Sequence, residues 1–169
     1  VATESINKVT TLDLANSAIT DVTGIEDFVS LTSLFLNSNK LTSINVSKNT
    51  ALIKLNVGWN AITDLDVSNN VSLNQLSCYS NKLQTLNVTK NINLTILECS
   101  QNEISALDLS SNSKLSVLSC VTNKLTTLDT SKNLELTALT CFQNQITSLD
   151  VTANTKLTHL HCFSNKIKA

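Results

Sequence analysis

Five cysteines, Cys78, Cys99, Cys120, Cys141 and Cys162, recur at 21-residue intervals, a regularity that raises the question of metal or redox chemistry. Neither fits. A zinc site draws on close pairs such as CxxC, and the chain has none. In-register neighbours lie near enough for a disulfide by distance alone, but parallel side-chain vectors disfavour one, so five free, buried thiols are expected. His159 and His161 project outward two residues apart, yet two imidazoles need a third ligand, and the positions 21 residues earlier are Ala138 and Thr140. Asp66, Asn87, Asp108, Asp129 and Asp150 form another column, where adjacent carboxylates could share calcium; their Ser and Thr neighbours favour a solvated row. No serine stands near a histidine and an acid in sequence, since both histidines lie close to the C-terminus. These residues predict no catalytic group, no metal and no cofactor, hence not an enzyme.

The elements that position these residues follow from the repeat. Leu31, Leu52, Leu73, Leu94, Leu115, Leu136 and Leu157 keep the same 21-residue spacing, as do Asn39, Asn60, Asn81, Asn102, Asn123, Asn144 and Asn165. One unit reads LNQLSCYSNKL from Leu73 to Leu83. In a short strand the fourth and sixth positions of that pattern point inward and the alternate ones outward. The asparagine then turns inside, where its amide can satisfy backbone groups that the bend removes from a ladder. The cysteines occupy the column held elsewhere by Leu14, Leu36 and Val57, an interior position suited to small apolar side chains. The second half of each unit repeats the pattern, as LTSINVSKN at Leu41 and ISALDLSSN at Ile104, followed by a second row at Asn49, Asn70, Asn91, Asn112, Asn133 and Asn154. A single unit cannot bury its apolar edge; units stacked about 4.8 Å apart can.

From Val9 onward the chain resembles the bacterial leucine-rich-repeat proteins with nested 21-residue units. Its first unit, running on as ITDVTGIEDFVSL, is similar to the 22-residue units of internalin-type proteins. The expected fold is a leucine-rich-repeat solenoid: β-rich, with a parallel strand ladder on each long side and little helix. The resemblance implies that it is right-handed, and it implies secretion or surface attachment and recognition of a protein or glycan. It implies no catalytic residue. The expected organisation is one leucine-rich-repeat domain, 1–169, made of an N-terminal remnant (1–8), a first 22-residue repeat (9–30), six 21-residue repeats (31–156) and a partial last repeat (157–169).

Composition narrows the partners. The 169 residues carry a net charge of −1 and no arginine, which argues against nucleic acid. No apolar run approaches the roughly 20 residues that span a bilayer. The chain opens VATESINK, without initiator Met or signal peptide, and reads as a processed chain or an excised fragment. It has no Pro and only two Gly, so other residues must bend the backbone.

The aromatics are one-sided. Phe28 belongs to the convex side of the first repeat. Phe35, Trp59, Tyr79, Phe142 and Phe163 fall outward on or beside the first strand, with Ile96, Val117 and Val121 on the same face. The second face has no aromatic column. Phe35, Trp59, Tyr79, Ile96, Val121, Phe142 and Phe163 are therefore the candidate ligand-binding face, with Trp59 approaching Tyr79 and Phe142 stacked on Phe163. The expected function is a secreted or cell-surface bacterial recognition module for a protein or polysaccharide. The alternative is a structural spacer or accessory module of a larger extracellular protein or enzyme. Leu157, Leu160 and Cys162 form an open last coil through which self-association is expected.

Overall fold

The computed structural model describes residues 6–168; residues 1–5 of the expected N-terminal remnant, and Ala169, lie outside the described residues. Each coil contributes one short strand: β1 (Thr11–Asp13), β2 (Ser33–Phe35), β3 (Lys54–Asn56), β4 (Gln75–Ser77), β5 (Ile96–Glu98), β6 (Val117–Ser119), β7 (Ala138–Thr140) and β8 (His159–His161). They stack in chain order as a single parallel sheet. Leucine pairs with leucine at every step, from Leu12 with Leu34 to Leu139 with Leu160. The register is fixed because a one-residue slip would turn each central leucine out to solvent.

The core runs the length of the solenoid. Leu31, Leu34, Leu36 and Leu41, with their counterparts as far as the coil of β7, are buried. Each such side chain contributes about 1.5–3 kcal/mol relative to exposure, and only because a neighbouring coil covers it. Apart from Ile6 near the N-terminus, helix among the described residues is one 3-10 turn, Ile25–Asp27, in the first coil.

The left-handed residue in the bend after each strand is neither glycine nor proline. Ser38, Trp59, Ser80, Gln101, Thr122, Gln143 and Ser164 all adopt the left-handed conformation, with φ between 52 and 59°. Each precedes an asparagine of the first ladder. Asn60 shows the device: its Nδ2 donates to the carbonyls of Leu36 and Val57, both at 3.0 Å, while its Oδ1 accepts the Leu41 N–H at 2.9 Å. The side chain thus replaces the backbone partners that the turn removes.

The second ladder expected from the nested motif does not form. Among the described residues no strand exists outside the eight-stranded sheet. The chain there is engaged in local bonds instead. The Ser68 and Ser110 N–H groups donate to Asp66 and Asp108 Oδ1 at 2.9 Å, and Ser131 N–H donates to Asp129 Oδ1 at 2.8 Å. Each such bond spends a donor that a ladder would need. A tight turn follows, as where Asn70 N–H meets the Val67 carbonyl at 3.0 Å. Coils on this side are tied by the second asparagine row: Asn70 Nδ2 donates to the carbonyls of Val46 and Asn49 at 3.0 and 2.9 Å. The Oδ1 atoms of Asn49, Asn70, Asn91, Asn112 and Asn133 are buried and have no hydrogen-bond partner.

The cysteines are free, and four of them, Cys78, Cys99, Cys120 and Cys141, are buried. Burial pushes the Cys99 thiol up to about 12 and that of Cys141 up to about 11. Cys162 departs from the expectation of five buried thiols. It is half-buried, with no coil after β8 among the described residues.

Candidate functional site

The sheet and the bend after it place every aromatic of the expected face on one side, at different depths. Phe35 ends β2, paired in register with Asn56, and is half-buried. Ile96 opens β5 and Val121 follows β6; both are half-buried. Trp59 and Phe163 stand out into solvent, 58% and 59% exposed. Phe142 and Phe163 occupy the same column in adjacent coils, and their rings stack with centroids 4.4 Å apart and planes 10° from parallel. Coil spacing and ring thickness are matched there, so one ring supports the next.

Trp59 and Tyr79 do not pair as Phe142 and Phe163 do; among the described residues the latter is the one stacked aromatic pair. The Tyr79 ring lies back over Gly58. A Cβ at Gly58 would meet its Cε1 and Cζ atoms at 2.7 Å, so the glycine leaves room for the ring. Trp59 and Tyr79 instead share the wall of a groove of about 290 Å³, completed by Ser80, Glu98, Ser100, Gln101 and Ser119. The groove crosses four coils. Its polar side carries hydroxyl contacts between neighbouring coils: Ser77 Oγ donates to Glu98 Oε2 at 2.6 Å, Ser80 Oγ donates to Gln101 Oε1, and Ser100 and Ser119 Oγ lie 2.8 Å apart. Thr140 Oγ1 donates to Ser119 at 2.9 Å, and the Val121 N–H donates to Ser100 Oγ at 3.0 Å. These bonds fix rotamers before any ligand arrives.

The opposite side is different in kind. Hydrogen bonds hold its carboxylates below the usual aspartate range. For Asp66 and Asp108 the hydroxyls of Ser68 and Ser110 act first and then their N–H groups. For Asp129 and Asp150 the N–H groups of Ser131 and Thr152 act first and then the hydroxyls. The acid column therefore serves the turns. Among the described residues no three His, Cys, Asp or Glu side chains are grouped to hold a metal ion. No helix among them is long and apolar enough to cross a membrane.

No protein-family model and no curated protein matches the chain. Solved structures do. The functional domain of InlJ from Listeria monocytogenes, described as including a cysteine ladder, is 36% identical over 99% of this chain, with a TM-score of 0.70. The chain is an internalin-like leucine-rich-repeat protein. It spans 47% of that InlJ structure, about half its length. Internalin C2 of Listeria monocytogenes superposes with a TM-score of 0.90 at 22% identity, covering 100% of this chain and 77% of its own. A Leptospira interrogans leucine-rich-repeat protein gives 0.80 at 21%, covering 99% of this chain and 58% of its own. The last two show the fold alone.

Two surface features of this leucine-rich-repeat protein escaped the sequence reading. Glu98 and the hydroxyl set sit among the aromatics, and only the register of β4 to β6 brings them together. An interrupted apolar column, Val29, Val71, Ile92 and Leu134, is 46–54% exposed at the turns entering four of the coils. Those residues are separated by multiples of 21, so the repeat itself carried the signal.

Proposed function

We propose that this protein is a non-catalytic recognition module, secreted or held on a bacterial cell surface, that binds a protein or a polysaccharide through the aromatic-bearing side of its sheet. One observation supports the reading above others: two clusters of rings, Trp59 with Tyr79 and Phe142 with Phe163, stand on the hydrogen-bonded face, while the other face presents turn-capping polar groups. Rings on a rigid ladder lose little entropy on binding, which is why such residues dominate interface energies. Copies of the chain also associate through β8 in this reading, because Leu160 and Ile167 are exposed beside the edge strand of the described sheet.

The test is a protein and glycan array probed with the 169-residue chain. A specific ligand should emerge, and Trp59→Ala or Phe142→Ala should weaken it by about 1–4 kcal/mol, the range for interface anchors. Asp108→Ala on the opposite face should leave the ligand bound. Binding indifferent to both ring clusters would put the recognition surface elsewhere, and the absence of any specific ligand would leave the spacer role as the better account.

A further inference from the structure

We propose that the groove between Trp59 and Gln101 is a saccharide subsite that takes one pyranose ring against its aromatic wall. This deepens the recognition reading and rests on it. The groove holds about 290 Å³, at the lower end of ligand pockets, and so accommodates a ring rather than a helix or a peptide strand. Trp59, Ser80 and Gln101 share one column in successive coils, which sets Trp59 and Gln101 about 10 Å apart at ladder spacing.

The chemistry of the lining selects the class of ligand. Trp59 offers an exposed apolar ring face, and Tyr79 adds a second ring with a hydroxyl at its rim. A pyranose has a face of C–H bonds that packs on such rings and an equator of hydroxyls that both donate and accept. Glu98 uses Oε2 for Ser77, and Gln101 uses Oε1 for Ser80. Glu98 Oε1 and Gln101 Nε2 have no protein partner among the described residues. One is an acceptor and the other a double donor, the pair that adjacent sugar hydroxyls require. A cationic side chain would satisfy Glu98 and the rings, but it would face the Gln101 N–H groups and gain nothing from them. A lone carboxylate among donors therefore favours a neutral polyhydroxyl ligand over a cation.

Gly58 provides a test that spares the groove's polar groups. Its φ lies outside the left-handed region, so an alanine there strains no backbone, yet the new Cβ displaces the Tyr79 ring. Trp59 is the only tryptophan, so the fluorescence of the intact chain reports on this groove alone. The chain is titrated with the methyl glycosides of glucose, galactose and N-acetylglucosamine, and separately with N-acetyl-lysine methylamide. At least one glycoside should give a saturable change with a Kd in the millimolar range, about −4 kcal/mol. Gly58→Ala, Glu98→Gln and Gln101→Ala should each weaken it about tenfold, the cost of one lost polar contact or ring, with melting temperatures showing each variant folded. Silence toward all three glycosides, a response to the lysine probe alone, or a glycoside response that the three variants leave unchanged would each overturn the subsite. The broader reading fails differently. An array ligand that depends on Phe142 but survives Glu98→Gln and Gln101→Ala keeps the recognition face and discards this groove.

Discussion

At the scale of single residues, Trp59 is in an unusual position. It occupies the left-handed turn with φ at 54°, where a bulky side chain costs roughly 1–2 kcal/mol. The other coils place Asn, Ser, Gln or Thr there, and asparagine, which the first coil uses at Asn16, tolerates that region best. Trp59→Asn should therefore raise the melting temperature by about 2–4 °C while weakening the array ligand. A fall in melting temperature would mean that the indole supports the fold rather than a ligand. The buried asparagine row gives a second case. Thr130 stands in the column of Val46, Val67 and Val88, and its hydroxyl donates to Asn154 Oδ1 at 2.7 Å. Asn112 bears the same relation to Val88, and its Oδ1 is unpartnered. Val88→Thr should thus be neutral or stabilising in urea unfolding, whereas Thr130→Val should cost about 1–3 kcal/mol by orphaning an acceptor. Equal losses in both would show that the hydroxyl does not choose between packing and pairing. The inward or outward direction of each of these side chains was legible in the repeat. The left-handed φ and the orphaned oxygens were not, since both depend on how the turn closes.

At the scale of elements, the spacing encodes direction but not hydrogen bonding. The LxxLxL pattern of the second half-repeat requires alternate residues to point inward, and extended chain does that with or without a ladder. What decides is the pairing of Asp or Asn with Ser or Thr two residues on, seven times from Asp21 to Asp150, a local signal of a side-chain-bonded turn. Aspartate in these turns ties stability to pH. The folded-state values of Asp66, Asp108, Asp129 and Asp150 lie below the ordinary one. Their contribution is complete above the ordinary carboxylate range and is lost as pH falls through the lowered values. Asn45 and Asn87 cap equivalent turns natively, with Ser47 and Thr89 N–H groups at 3.0 and 3.1 Å from their Oδ1 atoms. Replacing all four aspartates by asparagine should leave the melting temperature at pH 7 nearly unchanged and shrink its drop on acidification to about pH 3. An acid-induced drop as large as that of the parent chain would place the sensitivity elsewhere, with the Glu103–Lys124 contact between coils the next candidate.

At the scale of the whole molecule, a stack in which each coil touches only its neighbours has a stability that is a sum along one axis, so opening begins at the ends. The cysteine column is a built-in ruler for that process, with one thiol in each of the last five coils. Cys162 is half-buried in the last described coil, while Cys78, Cys99, Cys120 and Cys141 are buried between neighbouring coils. Burial raises all four of these thiols, with Cys141 at about 11 and Cys99 at about 12. Thiolate is therefore scarce at neutral pH unless a coil opens. Labelling the native chain with an alkylating reagent, then mapping modified cysteines by mass spectrometry over time, should give Cys162 first and about one equivalent in the early phase. Cys141 should follow as the coil of β8 frays, then Cys120, with Cys78 and Cys99 slowest because more coils separate them from β8. Denaturation without reductant should expose all five, since none is in a disulfide. Simultaneous labelling of the four inner thiols would mean that the coils open as one cooperative block. The rings of Trp59 and Phe142 would then sit on a single rigid platform rather than on segments of graded stability.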